Sequence, residues 1–258
     1  MKPLRVESYG ITDRGLKRWQ NEDAFLVRDD LGLYVVADGM GGHAGGEVAA
    51  AIAVREIESS VEATRDHEEK TWPEDWQFKL SLNANRLVQA ILTAHRKVMA
   101  AVESARELRG MGATVVAALL DLAKGMATVA HVGDSRAYLL RGGELKLLTS
   151  DHSWVHEQVV AGLLSEEAAR NHPLKNVVTR ALGGMQEPAV DFLEVQLDDG
   201  DTLLLCSDGL NTMLEDAEIR DILVASPGLG QAAHRLVAAA NEQGGLDNIT
   251  VVLVRARS

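Results

Sequence analysis

Apolar and polar positions change period several times along this chain, and each change marks a predicted element. Short runs at residues 4–13, 24–29 and 32–37 have strand character, with Leu33, Tyr34, Val35 and Val36 as an apolar centre between turn residues. Residues 45–64 switch to helical spacing, where Val48, Ile52, Ile57 and Val61 share a face and Arg55, Glu56 and Glu58 are left for water. The polar stretch 65–78 reads as a loop or helix connection, not a domain boundary. A second helix is predicted over about 79–107, striped by Leu80, Leu87, Ile91, Ala94 and Val98.

Beyond Gly110-Met111-Gly112, strands are predicted at 113–121, 126–132, 136–141 and 144–148, with Gly142-Gly143 marking a hairpin. Residues 152–175 read as helical and polar, with Ser165 capping ahead of Glu166 and Glu167. Strands at 190–196 and 201–206, helices near 215–225 and 228–242, and a strand at 249–255 complete the pattern. Strand clusters interrupted by helix pairs predict an α+β layered domain with mainly antiparallel sheets. No internal repeat breaks residues 1–258 into smaller units.

Composition narrows the function classes. A chain with 46% hydrophobic and 25% charged residues can bury a sizeable core. Its net charge of −12 argues against a nucleic-acid footprint, and no basic cluster suggests a membrane surface. No run approaches the roughly 20 apolar residues of a membrane helix, and the N-terminus shows no secretory pattern. Cys206, the single cysteine, reads as a small buried hydrophobe. These features predict a cytoplasmic protein. If such an acidic chain handles phosphate, it needs positive charge from elsewhere, and a divalent metal is one source.

Candidate chemistry sits where strand patterns stop. Asp38 ends an apolar run in YVVADGMGG, Asp208 ends another in TLLLCSDGL, and Asp247 stands just before the run in GGLDNITVVLV. Glu22 and Asp23 in RWQNEDAF and Asp134 in HVGDSRAY bring the acid-bearing segments to five. One Asp-Gly after a strand is ordinary turn chemistry. Five such segments converging would repel severely unless cations or protons were taken up. Carboxylate and carbonyl ligands suit hard ions such as magnesium or manganese. No Cys/His cluster has zinc spacing.

The ordered set RWQNEDAF, VVADGMGGHAGGEVA, GMGATVV, HVGDSRAYLLR, LTSDHS, VTRALGG, LLLCSDGL and DNITVVLV resembles the metal-dependent protein phosphatases of type 2C, in their compact bacterial branch. The segments run from residue 12 to 254. The resemblance implies a four-layer α-β-β-α sandwich with two central antiparallel sheets. It also implies hydrolysis of phosphoserine and phosphothreonine in phosphoproteins by a metal-activated hydroxide, at a centre of two Mn2+ or Mg2+ ions with a third, weaker one. Carried over by position, Asp38 bridges both ions, and Asp208 and Asp247 complete the first. The Gly39 carbonyl meets the second with Glu22 nearby, and Asp23 holds metal-bound waters. Asp134, with Asp208, serves the weaker ion, and Arg18 grips the substrate phosphate.

Where many eukaryotic members have His after the Asp-Gly pair, this chain has Met40. His43 reads as a loop histidine bonded to backbone, so no side chain is assigned as general acid. Thr114, Ser135 and Arg136 read as ordering the site, and His152 as fixing the start of the segment after it. Trp19 and Trp154 read as packing or rim residues. Residues 153–178 match the family's variable flap. The resemblance further implies a monomer opposing a bacterial Ser/Thr kinase. Two other readings are a catalytically silent, metal-stabilised binding module and a stress-response phosphatase acting on an anti-sigma-factor antagonist. The complete acid set weighs against the first, and the lack of room for a sensory domain against the second.

Overall fold

Ten strands in two five-stranded sheets form the centre of the computed structural model, which describes residues 4–42, 45–65 and 79–258. One sheet holds β2 (Asp23–Arg28), β3 (Leu33–Met40), β4 (Gly112–Asp121), β5 (Met126–Val132) and β8 (Asp191–Gln196), in that spatial order. The other is ordered β1 (Arg5–Asp13), β10 (Ile249–Arg257), β9 (Thr202–Cys206), β6 (Arg136–Arg141) and β7 (Glu144–Leu147). Every pairing is antiparallel. Helices α1 (Gly45–Ala63) and α2 (Leu82–Ser104) lie outside the first sheet, and α6 (Asp216–Val224) and α7 (Leu229–Glu242) outside the second.

Strand alternation builds these layers. Leu33, Val35 and Ala37 of β3 face Ile57 of α1 and Leu87 and Ile91 of α2, while Tyr34 and Val36 face the second sheet. In β9, Leu203 and Leu205 join that inter-sheet core, and Leu204 packs outward with Leu236 of α7. Both sheets are therefore covered on two faces. The result is the four-layer α-β-β-α sandwich implied by the resemblance.

Several boundaries differ from the pattern reading. The β3 strand runs on through Asp38 and Gly39 to Met40, paired with Thr114, Ala113 and Gly112. The long helix begins at Leu82, because the Ser81 side chain accepts from Ala84 N–H and caps it. Residues 152–175 form two short helices, α3 (Trp154–Val160) and α4 (Glu166–Arg170). Gly162, at φ 72°, ends the first, and Ser165 caps the second as expected. A one-turn helix, α5 (Asp208–Asn211), follows β9 directly, where the pattern gave only a turn. The expected connection at 66–78 and His43 lie outside the described residues. No helix among the described residues is long and apolar enough to cross a membrane.

Candidate metal centre

All the predicted acids come to one rim of the two sheets. Asp23 opens β2 directly opposite Asp38 in β3. Asp134 stands in the turn between β5 and β6, Asp208 opens α5, and Asp247 lies in the loop before β10. Glu22 and Arg18 sit in the loop between β1 and β2. The approach is close enough for Asp38 to feel charge from Asp23, Asp208, Asp134 and Asp247.

Local chemistry fixes each position. Glu22 N–H donates to Asn248 Oδ1 at 2.8 Å, and the Asn248 amide donates to the carbonyls of Arg14 and Gln20 at 2.9 Å each. Asn248 thus ties the Arg18 loop to the start of β10. Gly39 N–H donates to the Glu22 carbonyl at 3.1 Å. A Cβ on Gly39 would lie 2.0 Å from the Gly46 carbonyl oxygen, so only glycine lets α1 approach β3 here. Asp23 Oδ2 accepts from Ser207 Oγ at 2.7 Å and Thr250 Oγ1 at 2.6 Å. Asn248, Ser207 and Thr250 were not singled out from the sequence, although each lies in or beside a quoted motif.

Burial first, then mutual repulsion, raises these carboxyls. Burial pushes Asp134 up to about 8, with the Asp208 charge adding to it. Asp23 goes up to about 7 despite its Thr250 and Ser207 hydrogen bonds, which favour the charged form. Asp208 reaches about 6, raised by burial and then by Asp247, and Asp38 lies well above the usual carboxylate range. Glu22 is raised by burial as well. The guanidiniums that act on this group are each already paired with one carboxylate. Arg18 Nη2 donates to Asp247 Oδ2 at 2.6 Å, and Arg136 forks onto Asp151 at 2.9 and 2.7 Å.

Such a cluster fits divalent cations. Asp23 Oδ1 and Asp208 Oδ1 are buried without a hydrogen-bond partner, a costly arrangement that an ion would satisfy. The donors are all oxygens, as hard ions prefer. A second group of ligand-type side chains, His131, His152 and Asp191, lies within 4.8 Å but is of another kind. His131 Nε2 donates to the Ser150 carbonyl at 2.9 Å, and His152 Nδ1 accepts from Gly133 N–H at 3.1 Å. Arg180 Nη1 stands 3.2 Å from His152 Nε2, so a cation is already present.

The other sequence readings find definite positions. Thr114 and Ser135 hydroxyls bond each other at 2.7 Å and order the rim without facing bulk water. Trp19 is 92% exposed, a rim residue, while Trp154 packs against His172 with tilted rings whose centroids lie 5.0 Å apart. Cys206 is buried and its thiol is pushed up to about 12 by burial, which agrees with an inert core role. A cavity of about 130 Å³ opens beside the acids, lined by Arg18, Asp208, Met213, Leu246 and Asp247 and by Lys175 of the flap. A groove of about 580 Å³ continues from Asp134 and Asp208 between α3, α4 and Glu215.

Comparison with known proteins agrees with this geometry. Residues 17–247 match the family described as Protein phosphatase 2C. The serine/threonine phosphatase stp of Listeria welshimeri is 42% identical over 250 residues, covering 94% of this chain and 93% of its own. The serine/threonine phosphatase PstP/Ppp of Mycobacterium tuberculosis superposes with a TM-score of 0.83 at 35% identity, covering 98% of this chain and 99% of its own. The PstP catalytic domain in complex with two manganese ions gives a TM-score of 0.82 at 34% identity, over 99% and 100% of the two chains. On sequence, fold and length alike, the chain belongs to the protein phosphatase 2C family.

Proposed function

We propose that this chain is a phosphoprotein phosphatase, one catalytic domain over residues 1–258, which removes phosphate from serine and threonine with two Mn2+ or Mg2+ ions. The observation that carries this is the convergence of buried Asp134 with half-buried Asp23, Asp38 and Asp208, two of whose carboxylate oxygens are buried and left unpartnered. Asp38 would bridge the two ions, with Asp208 and Asp247 on the first. Glu22 and the Gly39 carbonyl would serve the second, Asp23 would hold its waters, and Asp134 with Asp208 would serve a weaker third ion. Bound ions would supply an activated water and offset negative charge on the phosphoryl oxygens.

The protein's own residues do the positioning. Ser207 and Thr250 hold Asp23 Oδ2, leaving Oδ1 buried without a hydrogen-bond partner. Arg18 lines the cavity and would bind the phosphate through its planar fork, exchanging its Asp247 partner for phosphoryl oxygens. Asn248 keeps that loop registered on β10. The named relatives, all serine/threonine phosphatases, support phosphoserine and phosphothreonine as substrates. A cytoplasmic monomer opposing a Ser/Thr kinase completes the reading.

Hydrolysis of p-nitrophenyl phosphate and of a phosphothreonine peptide, with and without manganese, tests it. Turnover that requires manganese and is abolished by chelator is the expected result. A folded, manganese-saturated protein that hydrolyses neither substrate would instead be the silent binding module.

A further inference from the structure

Away from the carboxylates, one residue gathers contacts from three separate parts of the chain. His152 N–H donates to the Gly133 carbonyl at 3.0 Å, and its ring Nδ1 accepts from Gly133 N–H at 3.1 Å. Both polar backbone atoms of Gly133 are thus taken by His152. The His152 carbonyl accepts from Thr179 N–H at 2.8 Å, and Trp154 N–H donates to the Val177 carbonyl at 2.8 Å. A bridge between Ser153 and Val178 completes the join. The flap therefore leaves and rejoins the core at one point.

The ring is as constrained as the backbone. Gly133 N–H requires a lone pair on Nδ1, so Nε2 carries the proton and presents it to Asp191 Oδ2 at 3.2 Å. Arg180, just past the flap, reaches Asp191 Oδ1 at 3.2 Å. His131 stacks on the His152 ring with centroids 4.7 Å apart. On its other side Gly133 meets Thr114, where a Cβ would lie 2.3 Å from the Thr114 Cβ, and its φ is +108°. The turn that carries Asp134 is pinned between Thr114 and His152.

We propose that His152 is a positioning residue for the phosphatase reaction, locking the root of the flap to the Gly133–Asp134 turn. One side chain then sets both the flap and the aim of the Asp134 carboxylate. The inference rests on the reading of Asp134 as a ligand of the weaker ion. It differs from a merely structural role in predicting that an acceptor at the Nδ1 position is enough to restore the Asp134 turn.

Hydrogen–deuterium exchange on the metal-free full chain and calorimetric manganese titration test the lock together. His152→Ala should raise exchange at least tenfold in residues 131–135 and in the flap, and weaken the third ion at least tenfold. The two stronger ions should stay within threefold. His152→Asn, whose Oδ1 can accept from Gly133 N–H, should return residues 131–135 and the weaker ion to within threefold of the parent. Asp191→Ala should loosen the flap alone. The proposal is overturned if His152→Ala leaves residues 131–135 within twofold, if its third ion keeps its affinity, or if Asn behaves like Ala. Should His152→Ala not fold, the Asn and Asp191 variants decide. Asp134→Ala is the control: if it removes no ion from the titration, the metal reading of Asp134 has failed, and exchange alone then judges the lock.

Discussion

Two aspartate sites in this molecule share a residue type and little else. Asp201, 3% exposed ahead of β9, is gripped by Arg141 through Nε at 3.0 Å and Nη2 at 2.5 Å, and Asp198 N–H adds a third contact at 2.8 Å. At the rim, Asp23, Asp38, Asp134 and Asp208 crowd together, and the guanidiniums within range are bonded to Asp247 and Asp151. The first arrangement supplies its own counter-charge. The second leaves Asp23 Oδ1 and Asp208 Oδ1 unsatisfied. A buried acid with its cation holds the fold, whereas buried acids without one are built to receive a cation.

Removing the shared charge at the rim should break the contrast most sharply. Asp38→Asn keeps the side-chain shape, so the fold should persist while manganese-dependent turnover falls at least ~10³-fold, about 4 kcal/mol of barrier. Turnover within tenfold of the parent at saturating manganese would remove Asp38 from its bridging role. Steady-state kinetics with matched circular dichroism reads both.

Manganese itself should act on one set only. At a concentration 100 times its Kd, an ion that binds only the folded state adds about 2.7 kcal/mol. The melting temperature should therefore rise with manganese in the parent and equally in Asp201→Asn, which starts from a lower value. In Asp38→Asn most of the rise should vanish. An equal rise in Asp38→Asn would place the stabilising ion somewhere else.

Arg18 touches both the acid set and the cavity, so its loss should separate metal from substrate. Its side chain is 49% exposed, which limits what the Asp247 pair contributes to stability. Arg18→Ala should raise KM for a phosphopeptide roughly tenfold, about 1.4 kcal/mol, with manganese affinity little changed. Lost metal with unchanged KM would reverse the assignment.

The smallest effect concerns buried groups kept neutral. Burial first of all holds both His131 and His152 below the usual imidazole range. Below pH ~6.5 these two imidazoles then bind more protons in the unfolded chain than in the folded one. Their contribution is complete above that pH and is lost as pH falls through it toward the folded values. Between pH 7.5 and 5.5, denaturant unfolding should show the parent losing up to about 1 kcal/mol more than His152→Asn. Equal losses would mean that His152 is not held neutral.

Much of this was legible in the residues, for definite reasons. Period-two and continuous apolar runs marked all ten strands, because each strand is buried on at least one face. The sheet order was not legible from periodicity, since β1 pairs with β10 and β5 with β8 across long stretches of chain. The sandwich came from the motif resemblance instead. The same motifs marked every rim acid, but Asp38 looked like a strand end because Gly39 resembled a turn. In the fold that glycine is a pairing position where α1 comes close. The partnership of His152 with Gly133 and Asp191 left no local signal, as the three residues lie far apart in the chain.

The glycines at this rim also bear on how such a gene can change after duplication. Losing Asp38 or Asp208 removes repulsion among buried charges, so a copy freed from selection can shed its acids and keep a stable fold. Gly39 and Gly133 offer no such route, because any side chain there strikes the Gly46 carbonyl or Thr114. A descendant that had turned from catalyst to scaffold would therefore be recognisable by a fixed pair of glycines framing vanished carboxylates. This chain retains both the glycines and the acids.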